Sequence, residues 1–311
     1  MSQTLRADKI VLWLDEIEFS ADTIPPELAN LENEQFSIQY CPNYKSYKKL
    51  VPSLLQFPDA VIVTFDDDLI YSQNLLKDLY SAHQKAPEAV VASRGRIIEL
   101  DENQTICPYH QWQFMQNDQA AISANYCLLP VGYGGVLYPP QSLHDKTTDS
   151  GLFMQLAPSA DDIWFKCMAM LKGSATVILP LKCSSQLKTI ENSQEQSLSQ
   201  AVNVGNRNGE QLSAVISIFS QLKEIFSSSE FGRIEIEAKM LSQLLKANKI
   251  GKVALAKAEL FRDAAIQLEK IDLAKSLQLM ALAEILKPKG PLIKKKLKLY
   301  REKLQSLVKT S

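Results

Sequence analysis

Apolar positions in the first two thirds of the chain come in short runs rich in β-branched residues, broken by polar, glycine and proline punctuation. Such runs predict strands over residues 8–15, 36–40, 60–65 and 89–93. Between them the apolar spacing turns helical. It predicts a short helix over 27–33 after Pro25 and Pro26, one running from the basic segment 43–50 towards Phe57, and one over 72–84. A further helix is expected near residue 160, with Ser159 as its N-cap and Asp161 and Asp162 in its first turn. Strands alternating with helices predict an α/β fold, a mainly parallel sheet with helices on both faces. In such sheets ligands collect where strands end at their carboxyl side.

The last third reads differently. Leu241, Leu244 and Leu245, then Leu255, Leu260, Ala264, Ile266 and Leu268, then Leu273, Leu277 and Met280 imply three or more amphipathic helices, an all-α unit faintly like a tetratricopeptide pair. Charge divides the chain at the same place: residues 231–311 carry +10 and residues 1–230 carry −11. Ser227, Ser228 and Ser229 mark the change, so the expected units are 1–227 and 228–311. Ile293, Leu297, Tyr300, Leu304 and Leu307 form a stripe opposite Lys294, Lys295, Lys296, Lys298 and Lys303. That helix either caps the helical unit or lies on an anionic membrane.

No apolar run approaches the roughly 20 residues of a membrane span, and the N-terminus lacks a signal-peptide layout. A cytoplasmic chain is expected, with peripheral contact at the inner membrane face as an option and no nucleic-acid partner. Five scattered cysteines without a CxxC pair point to reduced thiols. His83, His110 and His144 share no ligand spacing.

Candidate chemistry concentrates at three places. The run 60–65 ends in Asp66, Asp67 and Asp68, mutually repelling acids that either cap the next helix as a solvated turn or hold an oxygen-seeking Mg²⁺ or Mn²⁺. Lys45, Lys48 and Lys49 sit where a helix start would oppose them, which an anion such as phosphate would relieve. Arg94 and Arg96 follow another strand end and meet either phosphate or surface acids. Gly132, Gly134 and Gly135 interrupt an apolar strand, signalling a bulge or a close backbone approach. Asp161 and Asp162, beside Trp164, supply a possible second carboxylate pair for general base work.

Taken in order, Lys45-Ser46-Tyr47-Lys48-Lys49, Thr64-Phe65-Asp66-Asp67-Asp68-Leu69-Ile70-Tyr71, Gly132-Tyr133-Gly134-Gly135-Val136-Leu137-Tyr138-Pro139-Pro140 and Ala160-Asp161-Asp162-Ile163-Trp164 resemble bacterial GT-A-fold glycosyltransferases. The similarity is to family 2 enzymes that build capsular and lipopolysaccharide glycans, over residues 5 to 222. The resemblance implies that Asp66 and Asp68 form a DxD pair holding Mn²⁺ or Mg²⁺ on the diphosphate of a nucleotide-sugar donor. Asp67, Lys45, Lys48, Lys49 and Arg94 would bind that donor. Gly134, Gly135, Tyr138 and Trp164 would border a glycan or lipid-linked acceptor. Asp162, with Asp161 in reserve, would deprotonate the acceptor hydroxyl in an inverting displacement. A third metal ligand would fall in the polar stretch 203–211, where no residue is assigned. The family's first strand and helix have no counterpart before Ile10, so the chain reads as truncated, with residues 10–14 as the fold's second strand. The competing class is a non-catalytic transferase-like scaffold whose helical tail binds a partner.

Overall fold

A computed structural model describes residues 3–99, 106–115, 122–184, 187–190, 206–228, 254–270 and 273–309. The chain forms two compact units, Met1–Ser229 and Glu230–Ser311.

In the first unit, β1 (Ile10–Asp15) and β2 (Phe36–Cys41) pair in parallel as a sheet of their own, with Ile10 opposite Phe36. The short helix α1 (Pro26–Ala29) connects them. Beyond β2, residues Lys45–Lys49 form a 3-10 turn, followed by α2 (Val51–Gln56). The lysines therefore do not open an α-helix, and the macrodipole conflict read from the sequence does not arise. Tyr47 fixes this turn: its buried ring stacks on Phe153 at 4.1 Å and its hydroxyl donates to the Ala157 carbonyl.

The main sheet has five strands: β3 (Ile62–Thr64), β5 (Val90–Ala92), β7 (Ile122–Asn125), β9 (Val136–Tyr138) and β10 (Thr176–Ile178), ordered β3-β9-β5-β10-β7. Only β5 and β10 run parallel; β9 lies antiparallel between β3 and β5, and β7 antiparallel to β10. The expected mainly parallel sheet is thus mixed. The reason lies in the glycine segment: a 3-10 turn over Gly132–Gly134 starts β9 beside the ends of β3 and β5. Short pairs flank the sheet. β4 (Leu69–Ile70) joins β11 (Lys188–Thr189), and β6 (Gly95–Ile97) joins β8 (Leu128–Pro130).

Side chains alternate across the strands, so each sheet face takes its own cover. On one face Val91, Leu137 and Val177 meet Leu75 and Leu79 of α3 (Leu75–His83). On the other, the Tyr138 ring lies 6.0 Å from Phe165 of α5 (Asp161–Lys172), which follows α4 (Ser150–Leu156). Helix α5 is buried on nearly every side, from Ile163 to Met170, as a helix with apolar residues all round must be. Its cap is Ala160 rather than Ser159, whose N–H instead donates to Gln211 Oε1 of α6 (Arg207–Ile218). Helix α7 (Gln221–Ser228) ends the described part of the unit. Cys41, Cys127 and Cys167 are buried thiols.

The second unit contains α8 (Ala254–Leu268), α9 (Leu273–Leu286) and α10 (Pro291–Lys309). Phe261, Ala265, Met280 and Ala283 meet Ile293, Leu297 and Tyr300 in one core. Ile293, Leu297 and Tyr300 of the α10 stripe are therefore buried against its own helices, while Lys294, Lys295 and Lys298 remain exposed. The Tyr300 hydroxyl donates to Glu269 Oε2 at 2.8 Å, and Lys296 pairs with the same carboxylate. The expected helix at Leu241, Leu244 and Leu245, the side chains of Leu255, Leu304 and Leu307, and residues 203–205 of the polar stretch lie outside the described residues. Among the described residues, no helix is long and apolar enough to cross a membrane.

Candidate active site

The antiparallel entry of β9 decides which residues meet. Thr64 is registered with Val136, and Val136 with Ala92, so the carboxyl ends of β3 and β5 lie beside the glycine turn. Asp66 lies two residues past the end of β3. It does not cap α3: β4 intervenes, and Asn74 is the cap. Two hydrogen bonds hold the strand end to the glycine turn. The Asp66 N–H donates to the Tyr71 hydroxyl at 2.8 Å, and that hydroxyl donates to the Tyr133 carbonyl at 2.9 Å.

Lys49 joins the two acidic motifs. Its Nζ lies 3.0 Å from Asp66 Oδ1 and 3.2 Å from Asp161 Oδ2, all three side chains being largely buried. Burial alone would favour a neutral amine, but the charges of Asp161, Asp66 and Asp162 outweigh it and hold the ammonium well above its ordinary value. Lys49 was expected to bind a donor anion. It is instead occupied by two carboxylates of this chain.

Asp162 has a separate environment. The Gly132 N–H donates to its Oδ2 at 2.9 Å. Burial, and then the neighbouring Asp161 charge, push its carboxyl up to about 7, against the opposing pull of Lys49 and the Gly132 N–H. A carboxyl poised there can take a proton at neutral pH, as a general base must. A Cβ at 132 would overlap Asp162 Oδ1 and lie 3.1 Å from Lys49 Nζ, so a larger residue there would push the carboxylate aside. Gly135, at φ +93°, takes a left-handed conformation in which a Cβ would press on the Phe65 ring at 2.8 Å.

No family model, curated protein or solved structure matches the chain. The site is therefore read from its own geometry. Asp67 is exposed at the tip of the acidic turn, while Asp68 is half-buried and its carbonyl accepts from the Ile190 N–H at 2.9 Å. Lys45 is exposed and Lys48 half-buried, on the same turn as Lys49. Arg94 is half-buried, donating to the Tyr133 hydroxyl at 3.2 Å and the Ser184 carbonyl at 3.1 Å.

Four residues expected to border an acceptor are buried. The Trp164 indole is fully enclosed, with Nε1–H donating to the Thr147 carbonyl at 3.1 Å, so Trp164 is a core residue. Gly134 and Gly135 shape the turn from within, the Gly134 carbonyl accepting from Ser93 Oγ. Tyr138 is buried, and burial, then the Asp162 charge, hold its hydroxyl well above its ordinary value. Tyr133, in the same segment, is exposed. Sequence reading passed over Tyr133, Tyr71 and the Gly132 N–H as site groups. The glycine spacing signalled the close approach at 132, although the approaching group is the chain's own carboxylate.

The donor set is hard oxygen, suited to Mg²⁺ or Mn²⁺. Among the described residues no three potential ligands converge into a cage, and Lys49 lies between Asp66 and Asp161. Asp66 and Asp68 could serve a metal only as one or two carboxylates, with substrate phosphates completing its shell.

Proposed function

We propose that the first unit transfers a sugar from a nucleotide-sugar donor to an acceptor hydroxyl. One observation carries the reading: acids from two distant motifs share the Lys49 ammonium, and beside them the half-buried Asp162 has a raised proton affinity. In this reading Asp162 takes the acceptor proton as that oxygen bonds to the anomeric carbon and the bond to the donor phosphate breaks, inverting the centre. Asp66 and Asp68 would hold a divalent metal, which when bound offsets charge on the departing diphosphate. Lys49 keeps the acidic turn and α5 at a fixed spacing, so the base and the donor side do not drift apart. Tyr71 does the same for the acidic turn and the glycine turn. The acceptor is read as a glycan or lipid-linked sugar, and the exposed lysines of α10 as a peripheral contact with an anionic membrane.

The test is release of nucleoside diphosphate from a panel of nucleotide sugars with Mg²⁺ or Mn²⁺, comparing the intact chain with Asp66→Asn and Asp162→Asn. Metal-dependent release that both substitutions abolish supports the reading. Absence of release across the panel, with nucleotide sugars not bound, would place the carboxylate cluster among purely structural ion pairs and favour a scaffold.

A further inference from the structure

Beside the carboxylates lies a second constellation that the chemistry above does not use. Arg94 precedes and Arg96 follows Gly95, the first residue of β6, and both side chains reach the same Phe114 ring. Opposite them runs the segment around Phe114: the Ile97 N–H donates to the Gln113 carbonyl, the Met115 N–H to the Gly95 carbonyl, and Arg96 bridges Phe114. The result is an alternating stack. The Arg94 guanidinium lies 5.5 Å from the Tyr133 ring centre and 5.8 Å from that of Phe114; the Arg96 guanidinium lies 5.4 Å from Phe114 and 5.1 Å from Tyr109.

The stack is cationic, and its charge has no direct ion-pair partner among the described residues. Among the described residues, neither arginine meets a carboxylate: Arg96 donates to the Trp112 carbonyl at 2.8 Å, and Arg94 to the neutral oxygens of Tyr133 and Ser184. The buried Nε–H of Arg94 has no acceptor among them. Half-buried guanidinium groups without an anion are costly to keep, and their planar forks match carboxylate or phosphate oxygens two at a time. The exposed Tyr133 ring at one end of the stack suits the C–H face of a sugar ring. Tyr133 also places the stack beside the base, since it follows Gly132, whose N–H holds Asp162.

We propose that Arg94 and Arg96, with Tyr109, Phe114 and Tyr133, form the acceptor subsite and that the acceptor is an acidic sugar bearing a carboxylate or a phosphate. The assignment to the acceptor rests on the transferase reading; the binding of an anionic sugar does not.

The experiment is calorimetric titration of the full chain with glucuronate, glucose 6-phosphate and neutral glucose at low salt. At least one acidic probe is expected to bind about tenfold or more tighter than glucose, with affinity falling as salt is added. Preference for glucuronate assigns a carboxylated acceptor, and preference for glucose 6-phosphate a phosphorylated one. Arg96→Gln should abolish the preference over glucose, Arg96→Lys should keep only part of it, and Tyr133→Leu should weaken acidic and neutral probes alike. Acidic probes that bind no better than glucose, or a preference that survives Arg96→Gln in a variant with the parent's thermal midpoint, would overturn the subsite. Donor hydrolysis measured on the same preparation separates the two readings. Hydrolysis without acidic-sugar binding removes only the subsite. Acidic-sugar binding without hydrolysis keeps the subsite and removes the transferase.

Discussion

Replacing Asp162 with asparagine should stabilise the first unit at alkaline pH while disabling its chemistry. The folded chain holds the Asp162 proton up to about pH 7, against an ordinary value of 3.8. Between those values the folded state binds a proton that the unfolded chain has released, so stability falls as pH rises through the window and is lost in full above pH 7. About three pH units at roughly 1.36 kcal/mol each set a ceiling of about 4 kcal/mol, and partial solvent screening of this half-buried group brings the expected loss nearer about 2 kcal/mol. Asparagine is neutral throughout and its Oδ1 can still accept the Gly132 N–H. It should recover that loss at pH 8 and nothing at pH 4, where the native carboxyl is protonated. For a unit of this size the gain corresponds to a midpoint rise of about 4–8 °C. Thermal unfolding by circular dichroism from pH 4 to pH 8 measures it. A midpoint difference between variant and parent that does not change with pH, or a variant less stable at pH 8, would refute the argument.

Other substitutions probe the remaining parts. Gly132→Ala should displace Asp162 and cut nucleoside diphosphate release by about 10² or more, in the range of a lost general base, which steady-state kinetics would show. Lys49→Gln leaves Asp66 and Asp161 facing each other and should cost about 2–4 kcal/mol near neutral pH, by urea unfolding, with the deficit shrinking in acid. In the second unit, Leu297→Ala should cost about 2–4 kcal/mol through an unfilled core site, seen as a lower helical melting midpoint. Changing the exposed Lys294, Lys295 and Lys298 to glutamine should reduce sedimentation with anionic vesicles at low salt by about 1 kcal/mol per charge without altering that midpoint; unchanged sedimentation would remove the membrane contact.

What the sequence disclosed was local. The strand periods at residues 8–15 and 36–40, the apolar run before Asp66 and the two acids opening α5 are written in neighbouring residues, and each has its element in the structure. Direction and partnership were not legible. Nothing within Val136, Leu137 and Tyr138 states that they enter antiparallel between two distant strands, and that insertion alone turns the sheet mixed. Lys49 looked like a cation awaiting an anion because its partners lie in other segments of the chain. Trp164 was expected at the acceptor only through the family resemblance, whereas α5 is enclosed on nearly all sides. The two arginines could pair with acids or with phosphate on sequence grounds. Only the fold shows them stacked between rings.

The insertion of β9 also sets a schedule for the growing chain. The Thr64 hydroxyl and the Val136 carbonyl that receives it are 72 residues apart, so the centre of the sheet closes a long loop before it gains any ladder. While the polypeptide leaves the ribosome, β3 and β5 emerge with a gap between them that no local segment can fill. Until Tyr138 is out their facing edges stay unpaired, and Asp162 follows later still. The carboxylate cluster thus cannot assemble until residue 162 is out, and nascent chains stalled before residue 136 should expose strand edges that chaperones bind.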